Sequence, residues 1–318
     1  MAEMTASKYQ HAGVTVVVPA YKPDFRFVKT AESLARQSWP NMRVHVSLDS
    51  APEQQLPEVP ELPGLKVFKQ GKRLGWVGNV NFLLKTVETP YFIILAHDDG
   101  LTPDYISKAV AVLEQRPEVV VVHGAVRYHG VVRDGESEFT PSISGKRHER
   151  IGQFFRRQPL IAQLGWRGVA RSSMLQSGLR LRTRLSDGQF SNTVWSLELL
   201  LHGESVGLPD IAYDKYTYQD GLSRDYNNRT MDERSTMLAD SVACLVDVLN
   251  EHGLRPAAKE RIISAYVKWL LTLQGNWNIV ADEARSDSRT YAEIREPLAT
   301  FVAKTIISGM AEPTSKDE

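Results

Sequence analysis

Apolar residues along the chain follow two rhythms: continuous β-branched runs, and stretches in which they recur every three or four positions. Val14 to Pro19 (VTVVVP) is of the first kind and predicts a central strand covered on both faces. In Phe25 to Gln37 the residues Phe25, Phe27, Val28, Ala31 and Leu34 have helical spacing, and Trp39-Pro40-Asn41 closes the predicted helix. A second strand is expected over Val44 to Leu48, ending in Asp49-Ser50. A Pro-rich loop from Ala51 to Gly64 and a third strand over Leu65 to Phe68 follow. After Gly71 to Gly78 a helix is predicted over Asn79 to Val87. The wholly apolar Tyr91 to Ala96 (YFIILA) then predicts a strand with His97-Asp98-Asp99-Gly100 at its carboxyl end. A helix around Tyr105 to Gln115 and a strand over Val119 to His123 continue the alternation, whereas Gly130 to Arg150 is polar and irregular and reads as a mobile loop.

Such alternation predicts an open, mainly parallel α/β sheet with helices on both faces, whose ligands bind beyond the carboxyl ends of the strands. Asp49 and Asp98-Asp99 then share one rim. From Met231 onward the pattern is helical, with Leu238, Val242, Leu245, Val246 and Leu249 in one stripe and Ile262, Ile263, Tyr266, Trp269, Leu270 and Leu273 in another. The expected layout is a loose terminus over 1–12, a main domain over 13–225, a C-terminal helical subdomain over 226–310 and a frayed tail over 311–318.

Composition narrows the function classes. The 318 residues include 38 basic and 38 acidic side chains, so the electrostatic footprint of a nucleic-acid binder is missing. No run of about eighteen apolar residues could cross a bilayer, and Met1 to Ala12 lack the apolar core of a secretory signal. With the single Cys244 unable to form an intrachain disulfide, a reducing, cytoplasmic setting is the expectation.

Adjacent carboxylates at the end of a buried strand are costly unless something positive neutralises them. A hard divalent cation would do so, and Asp98 and Asp99 would then bridge Mg2+ or Mn2+ to a diphosphate. Equally open at this point is a solvated turn or helix cap before Leu101-Thr102-Pro103-Asp104. Neither a G-x-G-x-x-G after Val14 to Val18, nor a phosphate-binding P-loop, nor a G-x-S-x-G elbow occurs. The histidines, His97, His123 and His129 among them, show no zinc-ligand spacing.

Four segments in order, VTVVVPAY at 14–21, SLDS at 47–50, RLGWVGNVN at 73–81 and YFIILAHDDGLTPDY at 91–105, resemble family 2 glycosyltransferases with the GT-A fold. The resemblance spans roughly 13 to 224. It implies a nucleotide-diphospho-sugar transferase sheet, with Pro19, Ala20, Tyr21 and Asp49 at the nucleotide, Arg73, Asn81 and Asp98 along the donor, and Asp98 and Asp99 at the metal. An Asp can accept from a pyrimidine N–H, a Tyr can stack on the ring, and an Arg can offset diphosphate charge.

GWRGVAR at 165–171 and LELLLHGESVGLPDIAYDKYTY at 197–218 resemble the acceptor half of the same family, with two departures. An inverting transfer needs a general base for the acceptor hydroxyl. Counting back from Gly203 to the family's acid lands on Asn192, which cannot act as one, leaving Asp187 as the candidate and Glu198 as the next. At Tyr218 many relatives carry a His that reaches the metal or the phosphates. Lys215 and Arg224 are the nearby residues able to supply charge instead. Trp166, Arg167 and Trp195 are candidates for the sugar or acceptor side, with core packing the competing role for the tryptophans.

The resulting expectation is inverting transfer from a nucleoside-diphosphate donor, a UDP-sugar, to a hydroxyl of a saccharide or lipid-linked acceptor in polysaccharide or glycoconjugate synthesis. The alternative is a catalytically impaired nucleotide-sugar-binding or scaffolding protein that kept the donor pocket. The C-terminal helices are expected to serve homo-oligomer formation or peripheral membrane contact, although they show no dense basic face.

Overall fold

The first Val-rich run forms β1 (Val14–Ala20), buried along its whole length. In the computed structural model, which describes residues 12–49, 55–131, 133–157, 163–184, 188, 190–218 and 231–276, Val14, Val16 and Val18 enter one apolar layer and Val17 the other. Each such valine contributes about 1.5–3 kcal/mol on leaving water, which is why the run serves as the middle of a sheet.

Eight further strands join it: β2 (Met42–Leu48), β3 (Lys66–Lys69), β4 (Tyr91–Ile94), β5 (Gly100–Leu101), β6 (Val119–Gly130), β7 (Ser137–Glu138), β8 (Val169–Arg171) and β9 (Glu204–Thr217). Their order is β3-β2-β1-β4-β8-β6-β9-β5, with β7 beside β6. The half β3-β2-β1-β4 is parallel throughout, as is the β6-β9 pair. β8 runs antiparallel between β4 and β6, and β5 and β7 are antiparallel to their neighbours, so the sheet is mixed.

The helices of this part are α1 (Phe25–Ala35), α2 (Gly75–Leu84), α3 (Tyr105–Gln115), α4 (Arg147–Arg156), α5 (Ser173–Gln176) and α6 (Ser191–His202). α1 and α3 cover one face through Phe27, Ala31, Leu34, Ile106 and Val110, and α2 and α6 the other through Val77, Val80, Leu83, Trp195 and Leu199. Asp24 starts α1 by accepting the Arg26 N–H at 2.9 Å, a side-chain N-cap.

Three segments differ from the sequence pattern for identifiable reasons. α2 begins at Gly75 rather than Asn79, because the Asp49 carboxylate takes the Leu74 N–H at 2.5 Å and Gly75 turns the chain with φ 72°, a left-handed value that glycine tolerates. β6 continues past His123 to Gly130. At Gly124 its pairing with β9 shifts, and a Cβ there would lie 2.4 Å from the Ile211 carbonyl oxygen. Beyond that irregularity its residues alternate buried and exposed, which hides a strand from a search for continuous apolar runs. The polar stretch expected as a mobile loop contains β7, an antiparallel bridge from Ile143 to Ser205 and the start of α4. Arg150 on that helix donates to Leu200 O (2.8 Å) and Gly145 O (2.6 Å), closing the carbonyl end of α6.

Contacts divide the chain into two units, Met1–Leu181 with Trp195–Gln219, and Arg182–Val194 with Asp220–Glu318. The second contains α7 (Met231–Glu251) and α8 (Pro256–Asn276), with Leu238, Val242, Leu245 and Leu249 buried on one and Ile263, Tyr266 and Leu270 on the other. Within it Arg182 forks onto Glu251, both bonds at 2.7 Å, and the Arg184 N–H binds Asp240 at 2.7 Å. The terminus before 12 and the stretch from 277, including the tail over 311–318, lie outside the described residues.

His123 lies wholly inside β6, with Nδ1 3.5 Å from Gly124 O and Nε2 without a partner among the described residues. Burial pushes its pKa from 6.5 down to about 4. The folded protein therefore holds fewer protons here than the unfolded chain between those values. This contribution to stability is intact above pH 6.5 and is lost as pH falls toward 4. Denaturant titrations should show wild type losing about 2–3 kcal/mol more than His123→Gln between pH 7 and 4.5; parallel curves would contradict this assignment.

Candidate functional site

Asp99 is buried, and each of its oxygens has a defined donor: the Tyr213 hydroxyl at 2.8 Å on Oδ2 and the Tyr216 N–H at 2.9 Å on Oδ1. The Ala96 N–H donates in turn to the Tyr213 oxygen at 3.3 Å, while Thr30 on α1 donates to the carbonyls of His97 (2.9 Å) and Asp99 (2.7 Å). The turn after β4 is thus tied to α1 on one side and to β9 on the other.

Asp98, half-buried beside it, makes no side-chain hydrogen bond to another residue among the described residues. Burial, then the neighbouring Asp99 charge, raises its pKa, with His97 and Lys215 opposing the shift. A carboxylate crowded in this way is a ready ligand for a hard cation, and Asp98 supplies oxygen donors while Asp99 keeps its remaining lone pairs. The donor set therefore fits Mg2+ or Mn2+.

Tyr218 lies close by. Its hydroxyl is buried without a partner among the described residues, the Arg26 guanidinium covers its ring at 4.3 Å, and burial followed by the Asp98 charge pushes its pKa up to about 12. It stays protonated near neutrality and offers a hydrogen-bond donor, not an anionic ligand. Lys215 lies on β9 near Asp98, and Arg224 is outside the described residues.

Pro19 and Ala20 are buried at the end of β1, and Ala20 O accepts the Asp49 N–H at 2.8 Å. Arg73 lies over the Tyr21 ring at 4.4 Å, a cation–π contact, with Lys22 Nζ 5.3 Å from the same ring. Asp49, Tyr21 and Arg73 are thereby gathered at the ends of β1 and β2. Asn81 is engaged elsewhere: Nδ2 donates to Leu181 O at 2.8 Å and Oδ1 accepts the Leu181 N–H at 2.9 Å, which occupies both ends of the amide.

On the other side, Trp166 packs edge-on against Trp76 (5.9 Å) and Trp195 edge-on against Phe92 (6.3 Å), both in the apolar layer behind the sheet. Arg167 is buried, its guanidinium over Trp166 at 4.5 Å and Tyr213 at 5.2 Å. Asn192 sits in the first turn of α6, half-buried, and Glu198 is buried further along that helix. Asp187 lies outside the described residues. Tyr213, Tyr216 and Thr30, which hold Asp99, carry no local sequence signal. Only the cost of burying a carboxylate foretells that such partners must exist.

Replacing Tyr213 by Phe removes a charge-assisted bond and leaves Asp99 Oδ2 bare. Denaturant unfolding should register a loss of about 1–3 kcal/mol, and an unchanged midpoint would show that Asp99 is held some other way.

A model described as Glycosyl transferase family 2 matches residues 15–175, about half of the chain. No curated protein matches it by sequence. Among solved structures, S. aureus TarS 1-349 in complex with UDP-GlcNAc is similar at a TM-score of 0.64 and 15% identity, covering 93% of this chain and 83% of that one. S. aureus TarS gives 0.60 at 13% identity, covering 93% of this chain and 55% of that one. The mannosyltransferase PcManGT from Pyrobaculum calidifontis, in complex with GDP-Man and Mn2+, gives 0.51 at 13% identity, covering 100% and 94%. At these identities the likeness is one of fold, and the fold is of the GT-A type.

Proposed function

The chain belongs to glycosyl transferase family 2, and on that premise we propose that it transfers a sugar, with inversion, from a UDP-sugar to a hydroxyl of a saccharide or lipid-linked acceptor, with Mg2+ or Mn2+ at Asp98 and Asp99. The observation that carries this reading is Asp98, a half-buried carboxylate without a side-chain partner among the described residues, beside an Asp99 that is held rigidly. A bound divalent ion would stabilise charge on the departing diphosphate.

The protein's own residues do the rest. Tyr21, braced by Arg73, offers a ring to stack on, and Arg73 adds charge toward the diphosphate. The structural neighbours were seen with two different nucleotides, one with UDP-GlcNAc and one with GDP-Man. Asp49 favours the first here. Its Oδ1 is committed to the Leu74 N–H, which leaves Oδ2 as the unshared oxygen among the described residues. One such acceptor suits the single imide N–H of uracil, whereas guanine presents two donors side by side. The Lys215 ammonium, near Asp98, would add charge toward the phosphates.

Asp187 is the proposed base. The alternative, donor binding without transfer, draws its support from Asn192, which stands where the family's acid is expected. The two readings separate on incubation with a UDP-sugar and Mn2+: slow release of UDP without acceptor marks an enzyme, and binding with no turnover over any acceptor panel marks the alternative.

Calorimetry with UDP and Mn2+ tests the donor site. Asp98→Ala and Asp99→Ala should each weaken binding about tenfold or more. Asp98→Ala is the cleaner probe because Asp98 holds up no other element, and an unchanged affinity in it would sink the proposal.

A further inference from the structure

Arg167 carries a charge that no other described residue answers. Its relative exposure is 9%, Nε has no hydrogen-bond partner, and the guanidinium makes neither a hydrogen bond nor an ion pair among the described residues. Asp99, the carboxylate behind Tyr213, has both oxygens engaged by Tyr213 and Tyr216 and is not bridged to it. The faces of Trp166 and Tyr213 offset part of the cost of this burial, but rings neutralise no charge.

The mounting is rigid. Tyr105, fully buried, donates its hydroxyl to Arg167 O at 3.0 Å and accepts the Gly124 N–H at 3.0 Å, which locks the backbone of Arg167 to α3 and β6. Its position on the rim follows from strand pairing. Phe92 lies opposite Ala170 in the antiparallel β4-β8 pair, so the residues just before β8 stand beside the end of β4, where the chain turns into Asp98 and Asp99. In the order β2-β1-β4-β8 this is the side of the acidic pair away from Asp49.

We propose that Arg167 binds a phosphate oxyanion on the acceptor side of the Asp98-Asp99 turn. The inference rests on the donor-site reading given above for the identity of the cleft. A planar guanidinium held between two rings presents its terminal N–H groups in a fixed fork, which matches two oxygens of a phosphate and explains an arginine here in place of a lysine. The phosphate has two possible sources, the β-phosphate of the donor or a phosphate carried by the acceptor.

Calorimetry on the whole chain separates them, using UDP and uridine in the presence of Mg2+, then methyl phosphate added to protein saturated with UDP and Mg2+. If the donor supplies the group, Arg167→Gln weakens UDP ten- to a hundredfold and leaves uridine unchanged. If the acceptor supplies it, UDP is unaffected and the methyl phosphate binding seen in wild type disappears in the variant. A folded Arg167→Gln that binds both ligands as wild type does overturns the proposal. Failure of wild type to bind UDP removes the donor-site reading instead, and methyl phosphate binding to the free protein then decides the role of Arg167 alone. Arg167→Met keeps the ring-lined space filled without a charge and should melt at or above the wild-type temperature while losing the anion. A lower melting temperature with anion binding retained, or failure of both variants to fold, would make Arg167 a structural residue and also overturn the proposal.

Discussion

The site depends on how one buried carboxylate is satisfied. Asp99 has left water, and two donors from β9, the Tyr213 hydroxyl and the Tyr216 N–H, replace the solvent it lost. Those bonds join positions more than a hundred residues apart and clamp the end of the parallel half of the sheet to a strand of the mixed half. With Thr30 holding two carbonyls of the same turn, the acidic pair has little freedom to relax.

A division of labour between neighbours follows. Each Asp99 oxygen carries one bond that serves the architecture, while the Asp98 side chain makes no hydrogen bond to another described residue. The same split recurs nearby: Asp49 uses one oxygen to start α2 and retains the other, and Tyr21 is braced by Arg73 on a rim it shares with the acid pair. A glycosyltransferase of this family needs such preorganisation, because a loosely held carboxylate would reorganise as charge builds on the leaving group.

Much of this was readable from residue order alone. VTVVVPA and YFII announce buried strands because β-branched and aromatic residues pack well when both faces are covered, and α3 begins and ends where its apolar spacing says it should. What escaped reading depends on contacts that spacing cannot encode. The start of α2 is set by Asp49 across 25 positions, and Asn81, which looks like a donor-site residue beside RLGW, is drawn to Leu181 across 100. Trp195 has the look of a sugar platform until Phe92 is found against it. The far half of β6 was hidden because a strand buried on one face alternates, and a short alternating stretch rich in His, Arg and Tyr resembles a loop.

The strained electrostatics of Asp98 reach beyond the cleft. Asp98 is half-buried beside Asp99 and only partly offset by His97 and Lys215, so a cation that bound there would raise the protein's resistance to heat by mass action. Melting temperature would then report cation binding at this turn. A series of divalent cations could be ranked by warming alone, without knowing the donor or the acceptor.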